Sequence, residues 1–579
     1  MSNYFQDNEA LAFQLGHPLM ERIVTLKEEG FQKEHESPYA PHDVADALEN
    51  YSQVLSIIGE VAAETLAANA AQVDAEGPCV VEGRVHYHPG TQANHDQLTQ
   101  AGVYGLPLPR EYGGLNFPIV PYVMSAELVS RADASFANIW GLQDCAETIY
   151  EFGSEEQKRR YLPLAAMGKT FAMSLTEPDA GSDLQSVSLQ ARFDEESNTW
   201  RLNGVKRFIT NGDADISLVL ARSEAGTKDA RGLSLFLYRK ESMAVKVRRI
   251  EHKMGIVGSP TCELVFQDAP AELVGERKMG LIKYVMSLMN GARLGVGAQS
   301  VGVMEEAYRA AVRYAHEREQ FGRRISEFQP VRELLALMRA KVDACRSLLY
   351  ETARYVDMSK ALMRLQREKK LEAQDRQELK YYQRLADLFT PLTKLFASEM
   401  ANRVCYDALQ IHGGTGFMKD FPIERLYRDA RILPIYEGTS QLQVVAAIRG
   451  VTSGSLALRL EELDGQCGQT SLPQELTLLR EMLQSYKEAV AHVQDTGDEG
   501  YHDFHARRLV ELGGLVAMGY LLLLDAQREP RFAPSVRIFV RYAYGESQSH
   551  MATIMGITPS ALKDYQPTSW LCNECVEES

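Results

Sequence analysis

One carboxylate, Glu437, draws attention because of the residues around it. It lies in the run PIYEGTSQ (434–441), between an aromatic residue and a Gly-Thr-Ser segment. Gly, Thr and Ser favour a turn, and an apolar helical pattern begins directly afterwards at Leu442. Burial among apolar neighbours raises the pKa of a carboxyl group towards the range that suits a general base. We therefore regard Glu437 as a candidate for proton abstraction.

Four further runs precede PIYEGTSQ along the chain. They are LTEPDAGSD at 175–183, KRFITNG at 206–212, REQFGR at 318–323 and HGGTGF at 412–417. Together the five runs resemble the acyl-CoA dehydrogenase family of flavoproteins, and the resemblance spans about residues 80–450. The additional front and back segments are similar to those of long family members, the very-long-chain enzymes and the bacterial methylmercaptopropionyl-CoA dehydrogenase type.

The family reaction sets clear chemical requirements. An acyl thioester loses a proton from its α carbon and a hydride from its β carbon, while negative charge develops on the thioester oxygen. The resemblance implies that Glu437 is the base and that N5 of FAD accepts the hydride. It also implies that the backbone N–H of Glu437 and a flavin ribityl hydroxyl hold the thioester oxygen. The product is then a trans-2-enoyl-CoA, and the electrons pass to an electron-transferring flavoprotein.

The resemblance also implies which residues contact FAD. Leu175 and Thr176 face the pyrimidine side of the isoalloxazine, and Thr210 donates towards N5. Phe208 covers the ring where many family members carry Trp. The full set of expected cofactor contacts is Met173, Leu175, Thr176, Ser182, Phe208, Thr210, Arg318, Phe321, Gln329, Gln410, Gly414, Thr439 and Gln441.

Several of these contacts are expected to come from a neighbouring subunit. Arg318, Phe321 and Gln329 reach the partner's FAD, and so do Gln410 and Gly414. Arginine offers bidentate donors to a pyrophosphate, and paired glycines allow a close backbone approach. We therefore expect an oligomer. The additional C-terminal domain favours a homodimer over a tetramer.

The same resemblance implies a substrate site for acyl-CoA. Ser182 lies near the pyrophosphate of the flavin or of CoA, and Arg293 lies near the substrate and the catalytic loop. Asn290 stands where medium-chain members carry an acid. The expected substrate contacts are Ser182, Asn290, Arg293, Tyr436 and Gly438.

The order of sequence patterns predicts an α+β fold with helical segments on both sides of a β domain. Short segments rich in β-branched and aromatic residues follow Lys169, and long apolar-periodic helices return after Gly280. Together with this pattern, the resemblance implies an N-terminal helical domain, a middle β-barrel, a C-terminal four-helix bundle with the catalytic Glu, and an extra helical domain. The expected bounds are an extension at 1–40 and domains at 41–168, 169–279, 280–450 and 451–579. The charged stretch 360–382 is typical of a solvated helical hairpin.

Composition and targeting signals indicate a cytoplasmic protein, and the resemblance implies a role in fatty acid β-oxidation. The formal charge is −16, so the chain gains no counterion-release affinity for nucleic acid. The N-terminus has neither a secretory signal pattern nor an Arg-rich transit pattern. We expect the apolar stretch 509–524, which Glu and Gly residues break, to be too short and too interrupted to cross a bilayer.

The cysteines give no pattern that predicts a metal site. Of eight, only Cys572 and Cys575 form a C-x-x-C, and a zinc site needs a second pair or suitably spaced histidines. We expect ordinary reduced thiols and no metal.

Two other functions share this fold. An acyl-CoA oxidase uses the same base but lets oxygen reach the reduced flavin. A nucleic-acid-associated homologue needs a basic C-terminal face, whereas 451–579 holds 10 basic and 18 acidic residues. The motifs leave the length, branching and ring character of the acyl group open.

Overall fold

The computed structural model describes residues 2–32 and 39–565, which form two compact units. The first unit consists of the described chain up to Val331 together with 352–386 and 397–439. The second consists of 332–351, 387–396 and the described residues from Ser440 on. Two long helices, α11 (Gln329–Glu368) and α12 (Ala373–His412), contribute segments to both units.

The first unit begins with a helical region. Its helices are α1 (Glu9–Leu15), α2 (Leu19–Lys27), α3 (Val44–Val61), α4 (Ala67–Glu76), α5 (Pro89–Gln100), α6 (Ile119–Ala132), α7 (Ala134–Gly141), α8 (Asp144–Phe152) and α9 (Glu155–Ala166). A short hairpin, β1 (Cys79–Val81) and β2 (Arg84–His86), precedes α5.

Local sequence signals explain several helix ends. Asp43 caps α3 by accepting a hydrogen bond from the backbone N–H of Asp46. Ser154 and Gln157 form a reciprocal capping box at the start of α9. Every residue of α6 is buried, so this helix forms the centre of the region.

The β domain follows as seven strands. They are β3 (Phe171–Ser174), β4 (Gln190–Asp194), β5 (Thr199–Thr210), β6 (Ile216–Arg222), β7 (Leu233–Arg239), β8 (Val245–Ile250) and β9 (Thr261–Val274). The strand order is β3-β6-β4-β5-β9-β7, with β8 beside β9. Because β7 also pairs with β6, the sheet closes on itself, as the predicted β-barrel requires.

The two faces of this sheet belong to different apolar clusters. Along β6, Leu218 and Leu220 pack in one cluster with Ile149 and Tyr161 of the helical region, whereas Val219 packs in the other. Successive side chains of a strand point to opposite faces, so one continuous apolar run serves both clusters.

The rest of the first unit carries the C-terminal family motifs. Helix α10 (Met286–Glu317) is followed by the hairpin β10 (Glu319–Gln320) and β11 (Arg323–Arg324) and, after α11 and α12, by α13 (Pro422–Ala430). Helices α6 and α10 approach closely at Gly302, where an added Cβ would lie 2.4 Å from the carbonyl oxygen of Glu127.

The charged stretch at 360–382 forms the end of α11, an exposed turn and the start of α12, which confirms the predicted helical hairpin. It is not fully solvated, however. Arg22 of α2 pairs with Asp375 at 2.8 Å and with Glu378 at 3.2 Å. The N-terminal segment is therefore attached to this hairpin by ion pairs.

The second unit is helical. After α14 (Ser440–Thr452) it contains α15 (Ser455–Gln466), α16 (Pro473–Asp495), α17 (Glu499–Arg528) and α18 (Ala533–Gly556). Close packing on α17 requires glycine: a Cβ on Gly514 would lie 2.0 Å from the ring of Phe396, and one on Gly519 would lie 2.4 Å from Leu479.

Two helical stretches, Val44–Glu76 and Glu499–Arg528, are long and apolar enough to cross a membrane. The second corrects the expectation that 509–524 is too short, because the helix continues beyond the apolar stretch at both ends. Burial covers 89% of its most apolar window, which is typical of a core helix.

Candidate functional site

The loop that carries Glu437 has an unusual backbone. Glu437 has φ +53° and Gly438 has φ +87°, so two consecutive residues lie in the left-handed region. Glycine adopts this conformation freely, whereas a glutamate does so at a cost. Strained backbone of this kind is typical of functional sites, where the surrounding structure holds it in place. Glu437 is half-buried.

Tyr436 holds the loop against two helices. Its hydroxyl donates to Oε1 of Gln299 on α10 and lies 3.1 Å from Oδ1 of Asn138 on α7. Nε2 of Gln299 in turn donates to the carbonyl oxygen of Ala134 at 2.7 Å. Burial raises the pKa of Tyr436, and the charges of Glu437 and, more weakly, Asp429 add to the rise. The hydrogen bond with Gln299 lowers this pKa but does not outweigh the rise, so the phenol remains neutral.

A cation, Arg293 of α10, lies near Glu437. Burial lowers the pKa of Arg293, and the charge of Glu437 acts in the opposite direction. One guanidinium nitrogen donates to Oδ1 of Asn290 at 3.0 Å. The buried Nε has no hydrogen-bond partner among the described residues. The structure therefore brings the predicted residues Asn290, Arg293, Tyr436 and Glu437 to one place.

A second carboxyl group, Asp144, belongs to the same neighbourhood. Burial raises its pKa to about 7, and the charges of Glu147 and Glu437 act in the same direction, while Tyr122 and Lys360 oppose the shift. The sequence analysis missed this residue, because the run LQDCAET has no recognisable motif. Only the folded chain identifies it, because α8 packs on α10 and the charge of Glu437 acts on Asp144.

The run LTEPDAGSD forms a tight turn at the end of β3. Glu177 and Ala180 bond each other's backbone across Pro178 and Asp179, with N–O distances of 3.0 and 3.2 Å. The Glu177 carboxylate accepts from the backbone N–H of Ser188 at 2.8 Å and from Nζ of Lys206 at 2.8 Å. This buried ion pair attaches the turn to β5.

Strand β5 lies beside this turn. Nζ of Lys206 also donates to the carbonyl oxygen of Leu175 at 2.8 Å, and the backbone N–H of Arg207 donates to the carbonyl oxygen of Thr176 at 3.0 Å. The predicted flavin contacts that follow β3 therefore lie next to those of β5.

An irregularity in β5 moves Phe208 outwards. Its pairing with β9 is shifted between Lys206 and Ile209, and Phe208 has φ +60°. The Phe208 side chain is 51% exposed, so it is not the core aromatic that a strand pattern alone would suggest. The Arg207 guanidinium lies over its ring at 4.6 Å.

The second group of predicted flavin contacts is exposed. Phe321, at the tip of the β10–β11 hairpin, is 95% exposed, with φ +53° followed by φ +78° at Gly322, as tight hairpins require. Gly414 meets no atom within 4 Å of an added Cβ. The remaining exposed members of this group are Arg318, Gln329 and Gln410.

Tyr314 links the two exposed segments. Its ring stacks on His412 at 4.4 Å, and its hydroxyl donates to Oγ1 of Thr415 at 3.3 Å. The end of α10 and the glycine turn after α12 therefore lie next to each other.

The remaining predicted contacts have simple placements. Met173 is half-buried on β3, Thr210 is half-buried at the end of β5, and Ser182 is exposed. Thr439 is the last residue of the first unit, and Gln441 lies on α14 of the second. The roles of all these residues stay predictions.

The described residues contain no cluster of three or more His, Cys, Asp or Glu side chains that could hold a metal ion. The six described cysteines form no disulfide with one another. Cys572 and Cys575 lie outside the described residues.

Four family models match successive parts of the chain. They are the N-terminal domain of acyl-CoA dehydrogenase at residues 49–169, the middle domain at 172–269 and the C-terminal domain at 282–451. A further model, acyl-CoA dehydrogenase C terminal, matches 452–562.

Characterised relatives agree with these matches. The chain is 35% identical to acryloyl-CoA reductase (NADH) of Anaerotignum propionicum, over 67% of this chain and 92% of the relative. It is 34% identical to 3-methylmercaptopropionyl-CoA dehydrogenase of Ruegeria pomeroyi, over 69% of this chain and 71% of the relative.

A solved structure extends the similarity to the fold. The acyl-CoA dehydrogenase of Bacillus anthracis, solved in complex with FAD, is 26% identical and has a TM-score of 0.73, with coverage of 87% of this chain and 88% of that one. This chain is a member of the acyl-CoA dehydrogenase family, in the long form with the additional C-terminal domain.

Proposed function

We propose that this chain oxidises an acyl-CoA to its trans-2-enoyl-CoA, with Glu437 as the base that removes the α proton. The observation that supports this most is the strained, half-buried Glu437 beside Arg293, in a loop that Tyr436 holds to α7 and α10. A base that must meet one C–H bond gains more from fixed geometry than from its intrinsic basicity.

FAD is the cofactor of the family, and the described residues fit it. The group formed by Leu175, Thr176, Phe208 and Thr210 offers hydroxyl groups and an exposed aromatic ring to a flat ligand. When bound, FAD supplies the two-electron acceptor. The open glycine turn and the exposed arginines of the hairpin suit the pyrophosphate of a cofactor bound by a neighbouring subunit.

The residues around Glu437 divide the work of proton removal. Glu437 takes the α proton onto a carboxylate oxygen and holds it there. Arg293 lies near both the carboxylate and the substrate position, so its charge stabilises the ionised base before the reaction. Tyr436 keeps the loop in its left-handed conformation. The backbone N–H of the next residue, Glu437, is the expected donor to the thioester oxygen.

The proposal extends to the partner subunit and to the electron acceptor. We propose a cytoplasmic homodimer that passes electrons to an electron-transferring flavoprotein. The support for the dimer is the 95% exposure of Phe321, because a contact that a single chain leaves in solvent is available to its partner. β-Oxidation of fatty acids is the metabolic role that the reaction class supports.

The test uses the purified holoenzyme without oxygen. Acyl-CoAs of graded length are mixed with wild type, E437Q and the control E195Q, whose glutamate lies in an exposed turn. We expect E437Q to retain FAD and to bleach at least about 10³-fold more slowly, as the loss of an essential base predicts, while E195Q behaves as wild type. Normal bleaching of E437Q would disprove the base assignment.

Two further measurements distinguish related activities. Because one relative is named a reductase, the reverse reaction of an enoyl-CoA is measured with the same proteins. Peroxide release in air separates an oxidase from a dehydrogenase, and dominant peroxide release would replace the electron-transferring flavoprotein by oxygen in this proposal.

A further inference from the structure

The loop between β8 and β9 (residues 251–260, the β8–β9 loop) is bonded to the end of β5. Thr210, the expected donor to flavin N5, pairs with Thr261, the first residue of β9. The backbone N–H of Asn211 donates to the carbonyl oxygen of Pro260 at 2.7 Å. The β8–β9 loop therefore ends beside the strand that carries this expected flavin contact.

Side-chain hydrogen bonds fix the shape of the β8–β9 loop. Nζ of Lys253 donates to the carbonyl oxygen of Ser259 and, at 2.9 Å, to Oγ1 of Thr261. The hydroxyl of Ser259 is fully buried and donates to the carbonyl oxygen of Ile256 at 3.1 Å. Because its proton is used inside the loop, the Ser259 oxygen faces other groups as an acceptor.

The segment that leads into the Glu437 loop rests on the same β8–β9 loop. At the end of α13, Nη1 of Arg428 donates to the carbonyl oxygen of Met254 at 3.1 Å. A Cβ on Gly255 would lie 2.5 Å from the carbonyl oxygen of Arg428, so the two backbones touch. The backbone N–H of Ile256 donates to Oδ1 of Asp429. One end of the Glu437 loop is thereby attached to the β domain.

Asn138 of α7 makes a second attachment, next to Glu437 itself. Its Oδ1 accepts from Nε2 of Gln299 at 3.1 Å and lies 3.1 Å from the Tyr436 hydroxyl. Its Nδ2 donates to Oγ of Ser259 at 3.4 Å. An amide carries both an acceptor and a donor, so one half-buried side chain reaches both loops.

We propose that Asn138 is a positioning residue, which joins the Glu437 loop to the β8–β9 loop and so holds the base at a fixed distance from the flavin-binding end of β5. This inference rests on the proposed function, in which the proton and the hydride leave adjacent carbons. The base and the hydride acceptor must then meet two neighbouring C–H bonds, so their separation matters more than the position of either alone. Asn138 acts through Tyr436 and Ser259 and touches neither reacting carbon.

The main test is N138L in the purified holoenzyme, because leucine has a similar size but no polar atom. Without oxygen and at saturating acyl-CoA, we expect bleaching per bound FAD to be about tenfold slower or more, as a misplaced base predicts. Calorimetric binding of the 2-enoyl-CoA to the oxidised protein should change by less than about twofold, because ground-state contacts remain.

A kinetic isotope effect distinguishes positioning from a general loss of stability. With substrate deuterated at the α carbon, N138L should show a larger isotope effect on bleaching than wild type, because transfer of the proton to Glu437 becomes more limiting. With substrate deuterated at the β carbon, the isotope effect should not increase. A variant that is merely less stable would bleach at the wild-type rate per bound FAD, with both isotope effects unchanged.

A second variant tests the connection to the β8–β9 loop and remains informative if N138L does not fold. S259A keeps the contacts of Asn138 with Tyr436 and Gln299, and should slow bleaching about threefold. The double variant N138L/S259A should be no slower than N138L, since the serine acts through the asparagine. N50L, at a half-buried asparagine of α3, is the matched control and should behave as wild type.

The outcomes separate this inference from the proposed function. If no acyl-CoA bleaches the wild-type flavin, the proposed function fails, and this inference fails with it. If wild type bleaches and N138L and S259A do so at the same rate, the function stands and the role of Asn138 is wrong. Independent effects that multiply in the double variant would also contradict the connection through Ser259.

Discussion

Two carboxyl groups of the first unit, Glu177 and Asp144, differ in the groups that surround them. Burial acts to raise the pKa of Glu177, but Lys206 and the backbone N–H groups of Ser188 and Leu189 hold it below its usual value. Burial raises the pKa of Asp144 to about 7, and nearby acids add to the rise. A carboxyl group held by a cation and backbone donors stays ionised, whereas a buried one beside other acids binds a proton more readily.

The largest expected effect on stability comes from removing the cation that pairs with Glu177. Lys206 is fully buried, so K206M leaves the Glu177 carboxylate without its cation and should lower the apparent free energy of unfolding by roughly 3–5 kcal/mol. Denaturant unfolding followed by circular dichroism measures the loss.

The double variant E177Q/K206M is the control for this prediction. Because it removes both charges, it should recover much of the stability that K206M loses. A K206M protein as stable as wild type would show that the pair does not hold the turn.

The next largest expected effect is the pH dependence of stability that Asp144 causes. The pKa of Asp144 is about 7 in the folded chain and near 3.8 when unfolded, so the folded state binds more protons between these values. Stability contributed by this group therefore falls as pH rises through that window. The stability of D144N relative to wild type should increase by about 2 kcal/mol from pH 5 to pH 8, since one pKa unit corresponds to about 1.4 kcal/mol.

Unfolding curves at both pH values measure this difference. D503N, at an exposed aspartate of α17, is the control for the loss of one acidic side chain. A decrease for D144N, rather than an increase, would contradict the raised pKa.

A smaller change tests the anchor of the Glu437 loop. Y436F removes the hydroxyl that donates to Gln299 and Asn138, and should cost about 1–2 kcal/mol of stability. Since the loop then loses its fixed geometry, we expect kcat to fall about tenfold or more with little change in KM. An unchanged kcat would mean that the strained backbone is held without Tyr436.

The smallest expected effect on stability concerns Phe321, the exposed residue at the tip of the β10–β11 hairpin. F321A removes a side chain that is 95% exposed, so stability in the absence of FAD should change by less than about 0.5 kcal/mol. Equilibrium dialysis should nevertheless show weaker FAD binding, and sedimentation should show any loss of the dimer. Wild-type FAD affinity would exclude the cross-subunit contact.

Local patterns predicted a large part of this molecule. The alternation of short apolar segments predicted the sheet, and the long periodic runs predicted α10, α11 and α12. The reason is that both patterns depend on neighbours within a few residues. The irregularity at Phe208 was not predictable, because a shifted register depends on the partner strand β9.

In the candidate site, too, local features were predictable and long-range contacts were not. The motif PIYEGTSQ identified Glu437, and its apolar surroundings predicted a protected carboxyl group. The left-handed φ of Glu437, the bonds from Tyr436 to α7 and α10, and the buried pair of Lys206 and Glu177 involve residues distant in sequence. Asp144 had no signal at all, since nothing in its own segment indicates that the charge of Glu437 acts on it.

The sequence by itself determined the elements, their order, the family motifs and the identity of the catalytic candidate, because each is a property of residue types and short-range spacing. Only the tertiary structure decided which charges are paired and which remain available. Whether a buried carboxyl group is stabilised or destabilised depends on donors and charges within a few ångströms. In this chain those groups come from distant segments, such as Lys360 and Glu437, which both act on Asp144.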